Sequence, residues 1–146
     1  MPVAFGSRAH LDPLYIFYQM VTLQSGFYVA LALCVLTIST MESSSPPSLA
    51  DVFRTSASLS SDLMIAHCVT SCFLGGVLFP YVVERSKRCI DFALTIYFWH
   101  IVLSAFVNGF PTAAVWWGMI GAAFAVTLTV SMVVCRYAET RDVVLV

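Results

Sequence analysis

Residues 89–100 read CIDFALTIYFWH. A basic collar, Glu84-Arg85-Ser86-Lys87-Arg88, stands directly before them. A carboxylate, Asp91, lies just inside the apolar run, and an imidazole, His100, lies deep within it. Ionisable side chains at membrane depth are costly and need a reason to be there. The collar also marks which end of the run stays in water, and with it the orientation of the chain.

Working outward, the chain is built for lipid. Of its 146 residues, 60% are hydrophobic and 10% charged, against about 25% charged in a soluble domain. The net charge of −1 offers no basic field to gather nucleic acid. Four apolar runs stand out, at 14–39, 63–83, 90–107 and 113–135. A membrane helix needs about 20 such residues. The third run is therefore marginal and relies on its flanks. The runs are continuous rather than alternating, which excludes a strand barrel. The expectation is an all-α, polytopic membrane protein, a four-transmembrane-helix bundle forming one unit over 1–146 with a loop at 40–62.

Orientation follows from the cations. With four spans, Arg8, Arg85, Lys87, Arg88, Arg136 and Arg141 fall on one side, and Arg54 alone on the other. Positive residues stay inside, so both termini and the 84–89 loop are expected in the cytosol and 40–62 in the lumen. No cysteine lies in the lumenal segments, so no structural disulfide is expected. Cys89 and Cys135 sit at cytosolic ends, which leaves palmitoylation open. Ala30-Leu31-Ala32 looks like a signal-peptidase site, but its apolar run is too long for a signal peptide. The first span is expected to stay.

Polar residues punctuate the spans. Asp12-Pro13 opens the first helix as cap and first turn. Gln19 and Gln24 inside it seek partners on other helices, worth about 0.6–2 kcal/mol each. In the loop, Ser48 and Asp51 resemble a capping box, with Leu49, Val52 and Phe53 on one face. That suits a short helix on the lumenal membrane surface, and a plain loop stays open beside it. His67 enters the second span one turn from the lumenal end, where water still reaches. Ser71 and Gly75 form a small-residue face. His67, Cys68 and Cys72 fall short of the convergent ligands a metal needs, so no metal or other cofactor is expected.

Asp91 sits in the first turn of the third span, where the helix dipole and Lys87 or Arg88 stabilise it. His100 lies about 900° further round at 100° per residue, so the two point to opposite sides. Its expected partners are Gln or Thr side chains of another span. Asn108-Gly109-Phe110-Pro111 is a tight turn, making the third and fourth spans an antiparallel hairpin. Trp116 and Trp117 suit the lumenal interface. Gly118 with Ala122, and Gly121 with Ala125, are small pairs that let a helix approach.

No phosphate loop, nucleophile elbow, HExxH or paired catalytic carboxylates occur, so no catalytic residues and no enzyme are expected. Repeated halves, the mark of many transporters, are also absent from the sequence. A docking or assembly role is what remains.

Residues in order and spacing then match a known family. Asp12-Pro13-Leu14 with Gln19, Gln24 and Tyr28, then Pro46-Pro47 and Phe53, lead to Cys89-Ile90-Asp91-Phe92 with Thr95, Phe98 and His100. Phe110-Pro111 and Trp116-Trp117 complete the set. Across nearly its whole length the chain resembles the Sys family of Golgi integral membrane proteins. It departs at Leu11, where an aromatic residue is expected, and in a shorter tail. The resemblance implies a multi-pass protein of the trans-Golgi network that recruits an Arf-like small GTPase with an acetylated N-terminal helix. It implies a place in vesicle-mediated protein transport between endosomes and Golgi.

On that footing Asp12, Arg85, Lys87, Arg88 and Asp91 are the candidate docking residues, because cytosolic charge clusters there. Membrane lipid is the other expected partner, and self-association stays open. The rival reading is a small polar-lined channel or proton-linked carrier, with Gln19, Gln24, His67 and His100 along its path.

Overall fold

The computed structural model describes residues 13–42, 52–54, 61–83 and 88–144. Asp12, Arg85, Lys87, Ser48 and Asp51 lie outside these. Among the described residues the chain is helical, with four helices long and apolar enough to cross a membrane: Pro13–Met41, Asp62–Val82, Cys89–Asn108 and Ala114–Ala138.

Helix α1 is Pro13–Glu42. Its 30 residues span about 45 Å at 1.5 Å each, more than the hydrocarbon needs. The second span is composite. Helix α2, Ser61–Phe73, passes into a π-helical segment, Leu74–Leu78, and then into α3, Phe79–Val82. Pro80 explains the change of pitch. Proline has no N–H to donate and its ring crowds the carbonyl four residues back. One wider turn relieves that clash, and the Phe79 N–H bonds Leu74 O across it.

Helix α4 is Cys89–Asn108 and α5 is Ala114–Val144. The sequence places the end of the fourth apolar run at Cys135, before Arg136, but the helix continues to Val144. Apolarity sets where lipid stops, and backbone hydrogen bonding carries the helix beyond it. At the α4–α5 turn Gly109 has φ 81°, a left-handed setting that favours glycine.

The helices close a four-cornered bundle. α1 packs against the second span and α4, and α5 packs against the same two. Around the bundle the order is first, second, fourth, third span. Without a hydrophobic force between helices in lipid, close packing and internal hydrogen bonds hold such a bundle. Gly75 supplies the first. A Cβ there would stand 2.8 Å from Thr127 O, so only glycine allows this approach of the second span to α5. Ser71, one turn earlier, supplies the second. Its hydroxyl donates to His67 O at 2.6 Å and meets the Tyr97 hydroxyl at 2.9 Å. Tyr97 also meets Thr127 Oγ1 at 2.8 Å, and Thr127 donates to Ala123 O at 3.0 Å. One α4 tyrosine thus ties the second span to α5.

Three expectations are corrected here. The small residues of α5 do not serve the bundle: Gly118, Gly121, Ala122 and Ala125 are exposed, and a Cβ at Gly118 or Gly121 would meet nothing within 4 Å. The bundle takes Gly75 instead, because α5 turns Thr127 and Ser131 inward. Trp116 turns into the bundle rather than outward; of the pair Trp117 keeps exposure, with its indole N–H donating to Pro111 O at 3.1 Å. Val52 and Phe53 do not lie on a membrane surface. Val52 is buried, Phe53 is half-buried against the core, and Asn108 Nδ2 donates to Phe53 O at 2.6 Å. Large apolar side chains gain more by covering the bundle end than by lying flat beside it.

Candidate functional site

Two places hold the polar residues picked from sequence. The first is the bundle interior. Gln19 is buried on α1, and its Nε2 donates to Val82 O at 2.5 Å. Val82 ends α3, where carbonyls have no helical partner, so Gln19 joins the first span to the second. One helical face of α1 then presents Leu23, Phe27 and Leu31, all fully buried. His67 and His100 lie beyond Leu23 along that face, with ring centroids 5.2 Å apart.

His100 is boxed by rings. Phe27 stands edge-on at 5.4 Å, Tyr28 tilted at 6.0 Å, and Phe53 stacked at 6.1 Å. The expected Gln or Thr partners are replaced by His67 and aromatics. His67, expected within reach of water, is also buried, with its ring against His100. The Nδ1 atoms of both imidazoles make no hydrogen bond. Leu23 and Phe27 separate Gln19 from the histidines, and Gln24 faces a different side of α1.

The second place is a groove of about 340 Å³ between α1 and α4. Phe17, Met20, Val21 and Gln24 form one wall, and Thr95, Trp99 and Leu103 the other. The spacing of the α4 wall, four residues each, continues back one more turn to Asp91. Thr95 Oγ1 donates to Asp91 O at 2.8 Å, which ties that turn to the wall. Asp91 is exposed, and Arg88, half-buried, stands at the N-cap position of the same helix end without a side-chain capping bond. Asp91 makes no ion pair among the described residues. The groove is apolar, with Gln24 and Thr95 as its polar lining, and a carboxylate marks its end.

Sequence reasoning missed Tyr97 and Thr127. Tyr97 lies three residues before His100, on the same face, but within CIDFALTIYFWH it reads as one more apolar ring. The pairing of Cys89 with Cys135 was also missed. The hairpin register could have found both contacts. Tyr97 and Thr127, 30 residues apart, and Cys89 and Cys135, 46 apart, are each centred on Thr112.

The comparisons with known proteins agree with this architecture. A family model described as "SYS1: Integral membrane protein S linking to the trans Golgi network" matches residues 6–145. A protein named Protein SYS1 homolog from Dictyostelium discoideum is 31% identical over 137 residues, which is 90% of this chain and 58% of that relative. The chain therefore spans less than two thirds of that relative's length. A Protein SYS1 homolog from Nematostella vectensis is 30% identical over 147 residues, covering 97% of this chain and 92% of the relative. No solved structure matches the chain. With the family model matched over nearly every residue, the chain belongs to the SYS1 family of integral membrane proteins linked to the trans-Golgi network.

Proposed function

We propose that this protein is a membrane receptor that recruits an Arf-like small GTPase, bearing an acetylated N-terminal helix, to the trans-Golgi network. Its termini and the 84–89 segment face the cytosol, as the distribution of Lys and Arg favours. The observation that carries the reading is the α1–α4 groove. An amphipathic helix lying on the cytosolic face presents a row of apolar anchors. The groove has room for such anchors, though not for a whole helix. It runs between the first and third spans, beginning near the collar end of each.

Acetylation makes the partner's first residues neutral and apolar, so they can enter an apolar cleft without burying an amine. Asp91, exposed, and Arg88, half-buried beside it at the start of α4, are placed to meet polar residues further along that helix. The family's link to the trans-Golgi network supplies the compartment.

The test pairs two substitutions. Asp91→Ala removes the carboxylate and Thr95→Trp fills the groove. At equal expression and unchanged Golgi residence, each should release the GTPase to the cytosol. Retained recruitment in both variants would remove the groove from the account.

A further inference from the structure

Near the collar, the thiols of Cys89 and Cys135 face one another at 3.6 Å between sulfurs. Both are buried, at 0% and 3% exposure, and no disulfide joins them. Cys89 is the first residue of α4, and Cys135 lies on α5 one residue before Arg136. The hairpin register brings these two ends together. An S–H to sulfur contact is weak, and any small apolar pair could fill the space. What two thiols add is redox chemistry.

We propose that Cys89 and Cys135 are a reversible redox pair that closes to a disulfide and clamps α4 to α5 at the collar end. The oxidant is a hydroperoxide. One thiolate attacks the O–O bond, taking up one oxygen as a sulfenic acid while the other oxygen leaves as water. The second thiol attacks the sulfenic sulfur, the S–S bond forms, and the hydroxyl leaves as a second water. Two thiols lose two electrons and two protons, and hydrogen peroxide becomes two waters. A cellular thiol such as glutathione reverses the step by exchange.

The geometry suits closure. A disulfide has sulfurs about 2.05 Å apart, so each side chain has less than an ångström to move. The first turn of α4 holds Cys89 by only some of a helix's bonds, so it can shift. The other cysteines are placed differently. Cys68 and Cys72 are exposed on the outer face of α2, and Cys34 lies on α1. The clamp would hold fixed the turn that leads into Asp91, whichever partner docks there.

A variant carrying Cys34→Ala, Cys68→Ala and Cys72→Ala leaves only the two thiols in question. In native membranes it is treated with hydrogen peroxide, quenched, denatured and alkylated with a heavy maleimide. Two mobility shifts are expected before peroxide, none after, and two again after dithiothreitol, all at monomer size. Cys135→Ser in that background should keep its single shift or show a dithiothreitol-reversible sulfenic acid. If the triple variant does not accumulate, the full chain is used. Its five thiols should fall to three, with the linked peptides mapping to residues 89 and 135. Thiols that survive peroxide, a disulfide-linked dimer, or linkage through other cysteines would overturn the pair.

Discussion

The backbone of Gly75 rests against the carbonyl of Thr127, so near that a Cβ would stand 2.8 Å from the oxygen and 3.1 Å from Ser131 N. Two helix backbones set this contact, and backbone yields less readily than a side-chain tip. Gly75→Ala should therefore push the second span from α5 and cost about 1–3 kcal/mol. Gly118→Ala, where a Cβ meets nothing, should be neutral or stabilise by up to about 1 kcal/mol. Thermal unfolding in mild detergent compares the two. Equal effects would mean that Gly75 does not set the helix separation.

Gln19 joins the first span to the carbonyl that ends α3. Gln19→Leu keeps the volume and leaves Val82 O without that donor. The expected loss is about 0.6–2 kcal/mol, read by the same melt. An unchanged melt would show that another donor replaces the amide.

Tyr97 touches Ser71 and Thr127, but each of those hydroxyls also donates to its own helix. Removing the tyrosine hydroxyl leaves both with a partner. Tyr97→Phe should then cost only about 0.5–1 kcal/mol. Tyr97→Ala, which empties the junction of three helices, should cost about 3–5 kcal/mol. A similar loss in both would place the energy in the hydroxyl rather than the ring.

His100 sits among rings with an Nδ1 that makes no hydrogen bond. His100→Phe should fit the same box, with stability unchanged or raised by about 1 kcal/mol, since a buried unsatisfied group is removed. It should also keep GTPase recruitment. If His100→Phe instead abolished a proton flux seen with wild type in liposomes, the carrier reading would displace the docking one.

The spans were legible because lipid imposes long apolar runs, and a helical segment covers each run, although the second is composite and the fourth helix continues past Cys135 to Val144. Ser71 and Gly75 were legible as a close-packing face for the same reason that small residues are rare on a lipid face without a use. What the linear pattern does not carry is direction around the helix axis once every side is apolar. That is why Gly118 and Gly121 read as packing residues yet point outward, and why His100 is expected beside Gln or Thr side chains yet meets His67 and Phe53. Asp91 was legible as a first-turn carboxylate beside a basic collar, although it makes no ion pair with Arg88. The groove beside them depends on which spans are neighbours, and only the fold shows that the first and third touch.

Recruitment is the central claim, and proximity labelling from a tagged copy tests it most directly, with Arf-like GTPases followed on the Golgi after the protein is depleted. The account predicts that one such GTPase is labelled and turns cytosolic on depletion, and that Asp91→Ala fails to restore it. If every Arf-like GTPase stays on the Golgi without this protein, the receptor account is contradicted.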